Sequence, residues 1–239
     1  MINSIKDIKP SFYIGEKPIY GNTLHAPMDG YTDSPFRVIA REYGSALTYT
    51  EFMNANDILT KPEIIQHKII FSENERPIAF QVYDEEPSRI ISACLFLAQY
   101  QPDFLDINMG CSTPTVSGRG AGAGLLKEPK KIALIFSQLS RECPLPITAK
   151  IRLGWDSSFK NYLEVTKAIE ENGGKLIAIH ARTRQQGMRG KVDLDAIAEI
   201  KQHSRIPIIG NGDIFSVQGI DQMKSTTGCD AVMIGRGTI

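Results

Sequence analysis

The amino-acid sequence predicts a single (β/α)8 barrel, the TIM-barrel architecture. Short runs of apolar, β-prone residues recur eight times along the 239 residues, and helix-like segments separate them. The runs are apolar on both faces, which is typical of parallel strands that are covered on both sides. Polar residues follow several of the runs, at the strand ends where the active sites of such barrels lie.

The predicted strands and helices alternate in chain order. We expect strands at residues 24–28, 46–52, 77–83, 104–109, 147–153, 176–180, 207–211 and 231–234. We expect helices at residues 33–43, after Asn54, and at residues 87–100, 129–141, 159–172, 194–203 and 216–225. Pro129 favours a helix start because proline fits the first helical turn. Residues 12–22 predict a short hairpin that plugs the barrel floor.

An open, doubly wound sheet shares this alternation, but eight units of similar length favour the closed barrel. No linker or low-complexity tract divides the chain, so residues 1–239 are expected to form one catalytic domain. The eighth predicted strand lies close to Ile239, so we expect the barrel to lack its final helix. Uncovered apolar faces on the eighth and first strands would then lower the stability.

Composition excludes several classes of protein. Lys and Arg total 27 and Asp and Glu total 27, so no global field attracts nucleic acid, although a local basic patch is compatible with this balance. No apolar run reaches the roughly 20 residues that span a bilayer. Residues 1–15 lack the apolar core of a signal peptide. The four cysteines form no Cys-x-x-Cys pair, which argues against a structural metal site and against disulfides and favours the cytoplasm.

Cys111 is the candidate catalytic residue. An isolated cysteine is more often a small buried hydrophobe, but Gly110 and Ser112 flank it at the end of the fourth strand. The thiol could act as a nucleophile or as a proton donor, and the sequence leaves these two roles open. Asn108, on the same strand end, is either a turn former or a donor and acceptor for the imide edge of a base such as uracil.

Lys150 and His180 end two later strands. A lysine within an apolar strand is rarely buried without a partner, so we expect Lys150 to point inward, where its cation would stabilise developing negative charge. His180 is equally compatible with an ordinary core histidine. Arg182, shortly after His180, is expected either to bind phosphate or to line the rim.

Two glycine-containing segments follow the seventh and eighth strands. Asn211, Gly212 and Asp213 form the first, and Gly235 and Arg236 begin the second. Loops at these two positions of a barrel often bind phosphate through backbone N–H groups, although ordinary turns have a similar composition. The two expected positions together favour a phosphate site.

Three further residues end the first and third strands. Gln81 could contact a heteroaromatic edge or could be a polar rim residue, and Met28, after Pro27, could pack against a flat ring. Residues 118–124 are dense in glycine but lie too far beyond the strand to form a dinucleotide-binding turn. We therefore expect a flexible loop there, which could act as a lid.

These segments resemble the tRNA-dihydrouridine synthases in family order over nearly the whole chain. The matching segments are residues 26–33 (APMDGYTD), 80–82 (FQV), 106–111 (DINMGC), 118–126 (GRGAGAGLL), 148–155 (TAKIRLGW), 180–184 (HARTR), 210–214 (GNGDI) and 234–237 (IGRG). Each segment alone is a weak signal, but together they are highly specific.

The resemblance implies an FMN-dependent enzyme that reduces uridines of tRNA to 5,6-dihydrouridine with NADPH as reductant. It implies that Cys111 supplies a proton and that Asn108 and Arg182 contact the substrate. It also implies FMN contacts for the residues that follow the strands: Pro27, Met28, Gln81, Lys150, His180, Asn211, Gly212, Asp213, Gly235 and Arg236.

The chain departs from the family pattern in two places. Ser112 stands where the family usually has a proline after its cysteine. The family's C-terminal helical domain, which helps to grip tRNA, is also expected to be absent, and this would weaken tRNA binding. A barrel that reduces free pyrimidines with FMN and an inactive flavin- or RNA-binding remnant are the alternatives. The sequence does not specify the modified uridine, the choice between NADPH and NADH, or the oligomeric state.

Overall fold

The computed structural model describes residues 9–239. Residues 1–8, which include part of the segment predicted to lack a signal-peptide core, lie outside the described residues. Within residues 9–239, no helix is both long and apolar enough to cross a membrane.

Parallel strands form one sheet that closes into a barrel, as the sequence predicts. The strands of this sheet are β3 (Thr23–His25), β4 (Thr48–Tyr49), β5 (Met53–Asn54), β6 (Ile78–Tyr83), β7 (Phe104–Met109), β8 (Ile147–Arg152), β9 (Ile177–His180), β10 (Ile208–Asn211) and β11 (Ala231–Ile234). The hydrogen-bonded order is β3-β11-β10-β9-β8-β7-β6-β4, and β5 pairs with β6. Two backbone hydrogen bonds between the segments of β3 and β4 close the ring, from Ala46 N to Thr23 O at 2.8 Å and from His25 N to Leu47 O at 3.3 Å.

Helices connect successive strands on the outside of the barrel. They are α1 (Ser34–Glu42), α2 (Ala55–Thr60), α3 (Pro62–Ile69), α4 (Pro87–Leu97), α5 (Pro114–Ser117), α6 (Pro129–Glu142), α7 (Tyr162–Glu171), α8 (Leu194–His203) and α9 (Val217–Thr227). Side-chain caps define several starts: Asp33 accepts a hydrogen bond from the backbone N–H of Phe36, and Ser216 accepts one from that of Gly219. Prolines occupy the first turn of α1, α4 and α6, where a missing N–H costs nothing.

An antiparallel hairpin closes the barrel floor, and this prediction is confirmed. Its strands are β1 (Phe12–Ile14) and β2 (Lys17–Ile19). Phe12, Ile14 and Ile19 are buried in one cluster with residues from the amino ends of the barrel strands, including Phe104 and Leu176. The hairpin therefore seals the end of the barrel opposite to the carboxyl ends of the strands.

The second predicted strand is interrupted. Instead of one strand over residues 46–52, the structure has the short β4 and β5 with Thr50 between them. The Thr50 hydroxyl accepts the hydrogen bond from Gln81 N at 3.1 Å, so a side chain replaces the backbone partner at this point. Hydroxyl side chains compete with backbone acceptors in this way, which breaks the regular ladder.

The prediction of a flexible lid at residues 118–124 is wrong. Most of this segment is buried, and it continues into a 3-10 helix, Gly122–Lys127. A Cβ at Gly124 would lie 2.7 Å from the carbonyl oxygen of Ser117, and one at Gly122 would lie 3.0 Å from the Cβ of Cys111. The glycines therefore allow close packing behind the loop of Cys111, and their density does not indicate mobility.

An apolar groove of 420 Å³ lies on the outer face of β3 and β11, where the sequence predicts an uncovered wall. Phe36, Ile39 and Tyr43 of the α1 segment form one side of it, and Ile234 lies on the other. His25 is almost fully buried at the groove and packs against Phe36 in a tilted arrangement, with ring centroids 4.9 Å apart. The lowered stability that we expect from this wall stays a prediction.

Candidate functional site

A cavity of 530 Å³ opens at the carboxyl ends of the barrel strands. Its volume lies within the roughly 300–1,000 Å³ typical of small-molecule sites. Predicted site residues from six different loops and strand ends line it: Pro27, Met28, Asn108, Cys111, Lys150, His180, Asn211, Gly212, Asp213, Gly235 and Arg236. The parallel barrel thus brings into one place residues that are more than 200 positions apart in the chain.

Asn108 shapes the loop of Cys111. Its side-chain oxygen accepts hydrogen bonds from Gly110 N at 3.1 Å and from Cys111 N at 2.9 Å. Its Nδ2 donates to Gln81 Oε1 at 2.8 Å. The amide therefore holds the turn that presents the thiol, and one N–H of Nδ2 remains for a ligand in the cavity.

Gln81 is not among the residues that line the cavity, and its expected contact with a cofactor ring stays a prediction. It is fully buried beneath Asn108, and its Nε2 donates to Asp106 Oδ2 at 2.7 Å. Burial raises the pKa of Asp106 to about 6, although Thr148, Gln81 and Lys150 oppose the shift. The strand-end position suggested a rim residue, but the side chain points into the barrel and supports Asn108.

Lys150 is an inward cation, as its position in the strand predicts. Its Nζ lies 3.2 Å from Asn211 Oδ1, and Asn211 Nδ2 donates to Met233 O at 2.8 Å. Burial and the neighbouring charge of Arg152 lower the pKa of Lys150 to about 8, against an opposing effect of Asp106. Lys150 is therefore mostly protonated at pH 7 and is held in place by Asn211.

His180 presents a neutral imidazole at the mouth. Burial, followed by the charges of Arg152 and Lys150, lowers its pKa to about 2. Its Nε2 is buried without a hydrogen-bond partner in the described part of the chain. A buried polar atom without a partner is costly, so a hydrogen bond from a ligand or a water molecule in the cavity would stabilise the site.

Arg152 is a cavity residue that the sequence reasoning missed. Its guanidinium donates to the carbonyl oxygens of Gly110 at 2.7 Å, Thr183 at 3.0 Å and Gly187 at 2.8 Å. Burial lowers its pKa to about 10, which leaves it charged at neutral pH. The signal was present, because residues two apart on a strand share a face, and Arg152 lies two positions after Lys150.

The loops after β10 and β11 pack directly against each other. A Cβ at Gly237 would lie 2.3 Å from the carbonyl oxygen of Ile214, so only glycine fits there. Gly212 has a φ of +135°, and a Cβ at this position would lie 2.8 Å from the side chain of Val192. The carboxylate of Asp213 accepts hydrogen bonds from Arg182 and from Arg236, the latter at 3.2 Å. The loop after β10 therefore has only its backbone N–H groups to offer an anion.

Arg182 is not among the residues that line the cavity, and its expected substrate contact stays a prediction. It is 2% exposed, and its guanidinium bonds to Asp213 and to the carbonyl oxygens of Arg189 and Gly190. The hydrogen bond from the Arg182 side chain is the main cause that lowers the pKa of Asp213. Arg182 therefore fixes the loop after β10, a role that its position two residues beyond the strand does not reveal.

The carboxylates of the cavity have cationic partners, whereas two of its cations have no anionic partner among the described residues. Of its two carboxylates, Asp213 is paired with Arg182 and Arg236, and Asp29 lies 2.7 Å from Lys68. Lys150 and Arg152 bond only to neutral oxygens. The fold and site together define an α/β barrel with a cationic, glycine-lined ligand site at the carboxyl ends of its strands, which suits an anionic ligand.

Comparison with known proteins places the chain more narrowly. Residues 24–239 match the family model described as dihydrouridine synthase, and the chain belongs to this family. It is 34% identical over 226 residues to tRNA-dihydrouridine synthase B of Pasteurella multocida, covering 95% of this chain and 68% of that protein. It is 38% identical to a probable tRNA-dihydrouridine synthase of Aquifex aeolicus, covering 92% of this chain and 70% of the relative.

A solved structure supports the fold alone. A chain in the crystal structure of the BexX/CysO complex of Amycolatopsis orientalis superposes with a TM-score of 0.64 at 15% identity. The match covers 96% of this chain and 86% of that chain. The (β/α)8 fold and the family that the sequence predicts are therefore confirmed.

Proposed function

We propose that this protein reduces uridine in tRNA to 5,6-dihydrouridine, with FMN as its bound cofactor and NADPH as the reductant. Membership of the dihydrouridine synthase family supports the reaction class. The observation on which the proposal depends is that Cys111, Lys150 and the two glycine loops line one cavity. A proton donor, a cation and a phosphate site are thereby within reach of a single ligand.

The residues present fit FMN. Ala26, Pro27 and Met28 offer an apolar wall for a planar ring, whereas Gly212, Gly235 and Arg236 offer N–H groups and a positive charge for a phosphate. His180 lines the same cavity, and its Nε2 has no hydrogen-bond partner in the described part of the chain. When bound, FMN would supply the hydride for one carbon of the uracil 5,6 double bond.

Cys111 is the proposed acid. As negative charge develops on the uracil ring, the S–H bond breaks and a C–H bond forms at the other carbon of the former double bond. The thiolate that remains takes a proton from solvent. Lys150 and Arg152, which line the same cavity, stabilise negative charge during this step.

A basic and aromatic surface beside the mouth supports an RNA substrate. Lys127 Nζ lies 3.2 Å from the ring centroid of Trp155, and the guanidinium carbon of Arg184 lies 4.6 Å from it. Arg184 also donates to Ser117 Oγ at 2.9 Å, at the end of the short helix that follows the Cys111 loop. The chain is neutral overall, so this local cluster is the feature that would attract phosphates.

An assay that compares tRNA with free pyrimidines as substrates tests the proposed function. Purified protein would be incubated with FMN and NADPH and with unmodified tRNA or free uracil, and separately with FMN, dihydroorotate and an electron acceptor in place of NADPH. The products would be measured by mass spectrometry. We expect conversion of tRNA only. Turnover of only the free pyrimidines would contradict the proposal and favour a free-base dehydrogenase, and the absence of any turnover in a flavin-loaded protein would favour an inactive remnant.

Cys111→Ala tests the acid. We expect FMN binding to persist while tRNA reduction slows by about 100-fold or more, because general acid catalysis typically contributes this much. Cys143→Ala is the matched control, since this half-buried thiol lies at the end of α6 and not at the cavity. Equal rates in the wild type and the Cys111 variant would contradict the role of this thiol.

A further inference from the structure

A threonine hydroxyl contacts the sulfur of Cys111. Cys111 Sγ and Thr113 Oγ1 are 2.7 Å apart, and both residues line the cavity. Either atom can be the donor, so the contact is available to the thiol and to the thiolate.

The backbone of Thr113 is held firmly. Its carbonyl oxygen accepts hydrogen bonds from Val116 N at 3.0 Å and Ser117 N at 2.8 Å, at the start of α5. The hydroxyl of Ser117 donates to the same oxygen at 3.0 Å. On the other side of the loop, Asn108 fixes the backbone of Cys111. The sulfur and the hydroxyl therefore face each other from two anchored positions.

We propose that Thr113 is a positioning residue that aims the Cys111 thiol and stabilises the thiolate formed when it gives up its proton. This inference rests on the proposed role of Cys111 as the acid. The thiol S–H bond breaks and the substrate C–H bond forms, while the threonine O–H bond stays intact and donates to the sulfur. A hydrogen bond that strengthens as charge develops favours the transition state over the ground state.

The experiment compares Thr113→Val, Thr113→Ser and Ser112→Ala. Valine keeps the branched shape of threonine without its hydroxyl, and serine keeps the hydroxyl. Ser112→Ala removes a neighbouring hydroxyl for which the structure gives no contact with the sulfur. The first readout is the pH dependence of Cys111 alkylation by iodoacetamide in the folded protein without tRNA, followed on the Cys111 peptide by mass spectrometry.

We expect Thr113→Val to shift the alkylation midpoint upward by about one pH unit, because a lost hydrogen bond to a charged group corresponds to roughly this change. The serine variant and Ser112→Ala are expected to keep the wild-type midpoint. With FMN, NADPH and tRNA, the valine variant is expected to lose about tenfold in kcat with an unchanged KM, and the serine variant is expected to restore kcat.

The outcomes separate the two proposals. An unshifted midpoint in Thr113→Val, or an equal shift in Ser112→Ala, overturns the inference about Thr113 even when turnover depends on Cys111. A shifted midpoint combined with full activity of Cys111→Ala contradicts the proposed acid instead. Circular dichroism and flavin binding establish that each variant is folded.

Discussion

The two ends of the barrel are built in opposite ways. At the floor, Phe12, Ile14 and Ile19 are buried among apolar side chains. At the mouth, the partly buried Lys150 and the buried Arg152 and His180 line a cavity, and Nε2 of His180 has no partner in the described chain. Apolar burial stabilises the folded state, whereas buried charges and unpartnered polar atoms oppose it. The floor therefore supplies stability, and the mouth gives up stability for binding.

The largest expected effect is at the floor. Ile14→Ala should lower the free energy of unfolding by about 2–5 kcal/mol, because it leaves a cavity in a fully packed cluster. Urea unfolding would measure this change, and the flavin affinity of the folded variant should stay unchanged. Tyr13→Ala is the control: Tyr13 lies on the same strand but is 53% exposed, and its replacement should cost about 0.5 kcal/mol or less. Comparable losses in both variants would contradict the floor's role.

At the mouth, Lys150→Met separates stability from function. The substitution keeps most of the side-chain volume and removes a partly buried cation, so the free energy of unfolding should change by about 1 kcal/mol or less. tRNA reduction should slow by about 100-fold, as is typical when a group that stabilises transition-state charge is lost. Lys175→Met removes an exposed lysine just before β9, at the opposite end of the barrel, and should change neither quantity. A Lys150 variant that is strongly destabilised but fully active would contradict the assignment of the mouth to function and of the floor to stability.

Asp106 lies between the two ends and gives a pH-dependent test. Its pKa is raised from 3.8 to about 6 in the folded protein, so the folded state holds a proton that the unfolded state has lost. Stability from this group is therefore present below pH 4 and is lost as the pH rises toward 6. The free energy of unfolding of the wild type, minus that of Asp106→Asn, should fall by about 3 kcal/mol over this window, since each pKa unit corresponds to about 1.4 kcal/mol.

The difference between the two proteins removes the contribution of the histidines, which titrate in both. Urea unfolding at several pH values between 3.5 and 7 would supply the data. A difference that is constant across this range would contradict the raised pKa of Asp106.

The smallest expected effect concerns the rim of the mouth. Lys127→Ala and Arg184→Ala should each weaken tRNA binding and lower the slope of log Kd against log salt concentration by about 1, if each side chain neutralises one phosphate. Titrations between 50 and 200 mM salt would measure the slope. Lys175→Ala removes the same charge at the floor and should leave the slope unchanged. A slope that drops equally in all three variants would show that the effect is not local.

The sequence predicted the architecture because strand and helix periodicities are local, and it predicted most of the mouth because a parallel barrel gathers strand ends. The direction of individual side chains was harder to predict from the sequence. Gln81 lies on a strand and Arg182 lies two residues beyond one, but both side chains are buried in internal hydrogen bonds and do not line the cavity. The interrupted second strand depends on one hydroxyl of Thr50, a contact between distant residues that periodicity cannot show. The NADPH preference, the compartment and the extent of the catalytic domain stay predictions.

The close packing of Gly122 against Cys111 bears on how a tRNA base would approach the thiol. A Cβ at Gly122 would lie 3.0 Å from both the Cβ and the carbonyl oxygen of Cys111, so the backbone that carries the thiol packs closely against this glycine. The nucleotide must then make the larger movement, swinging out of its own strand to meet a stationary sulfur. Alanine at position 122 would crowd the Cys111 loop and would also have to adopt a positive φ of +53°.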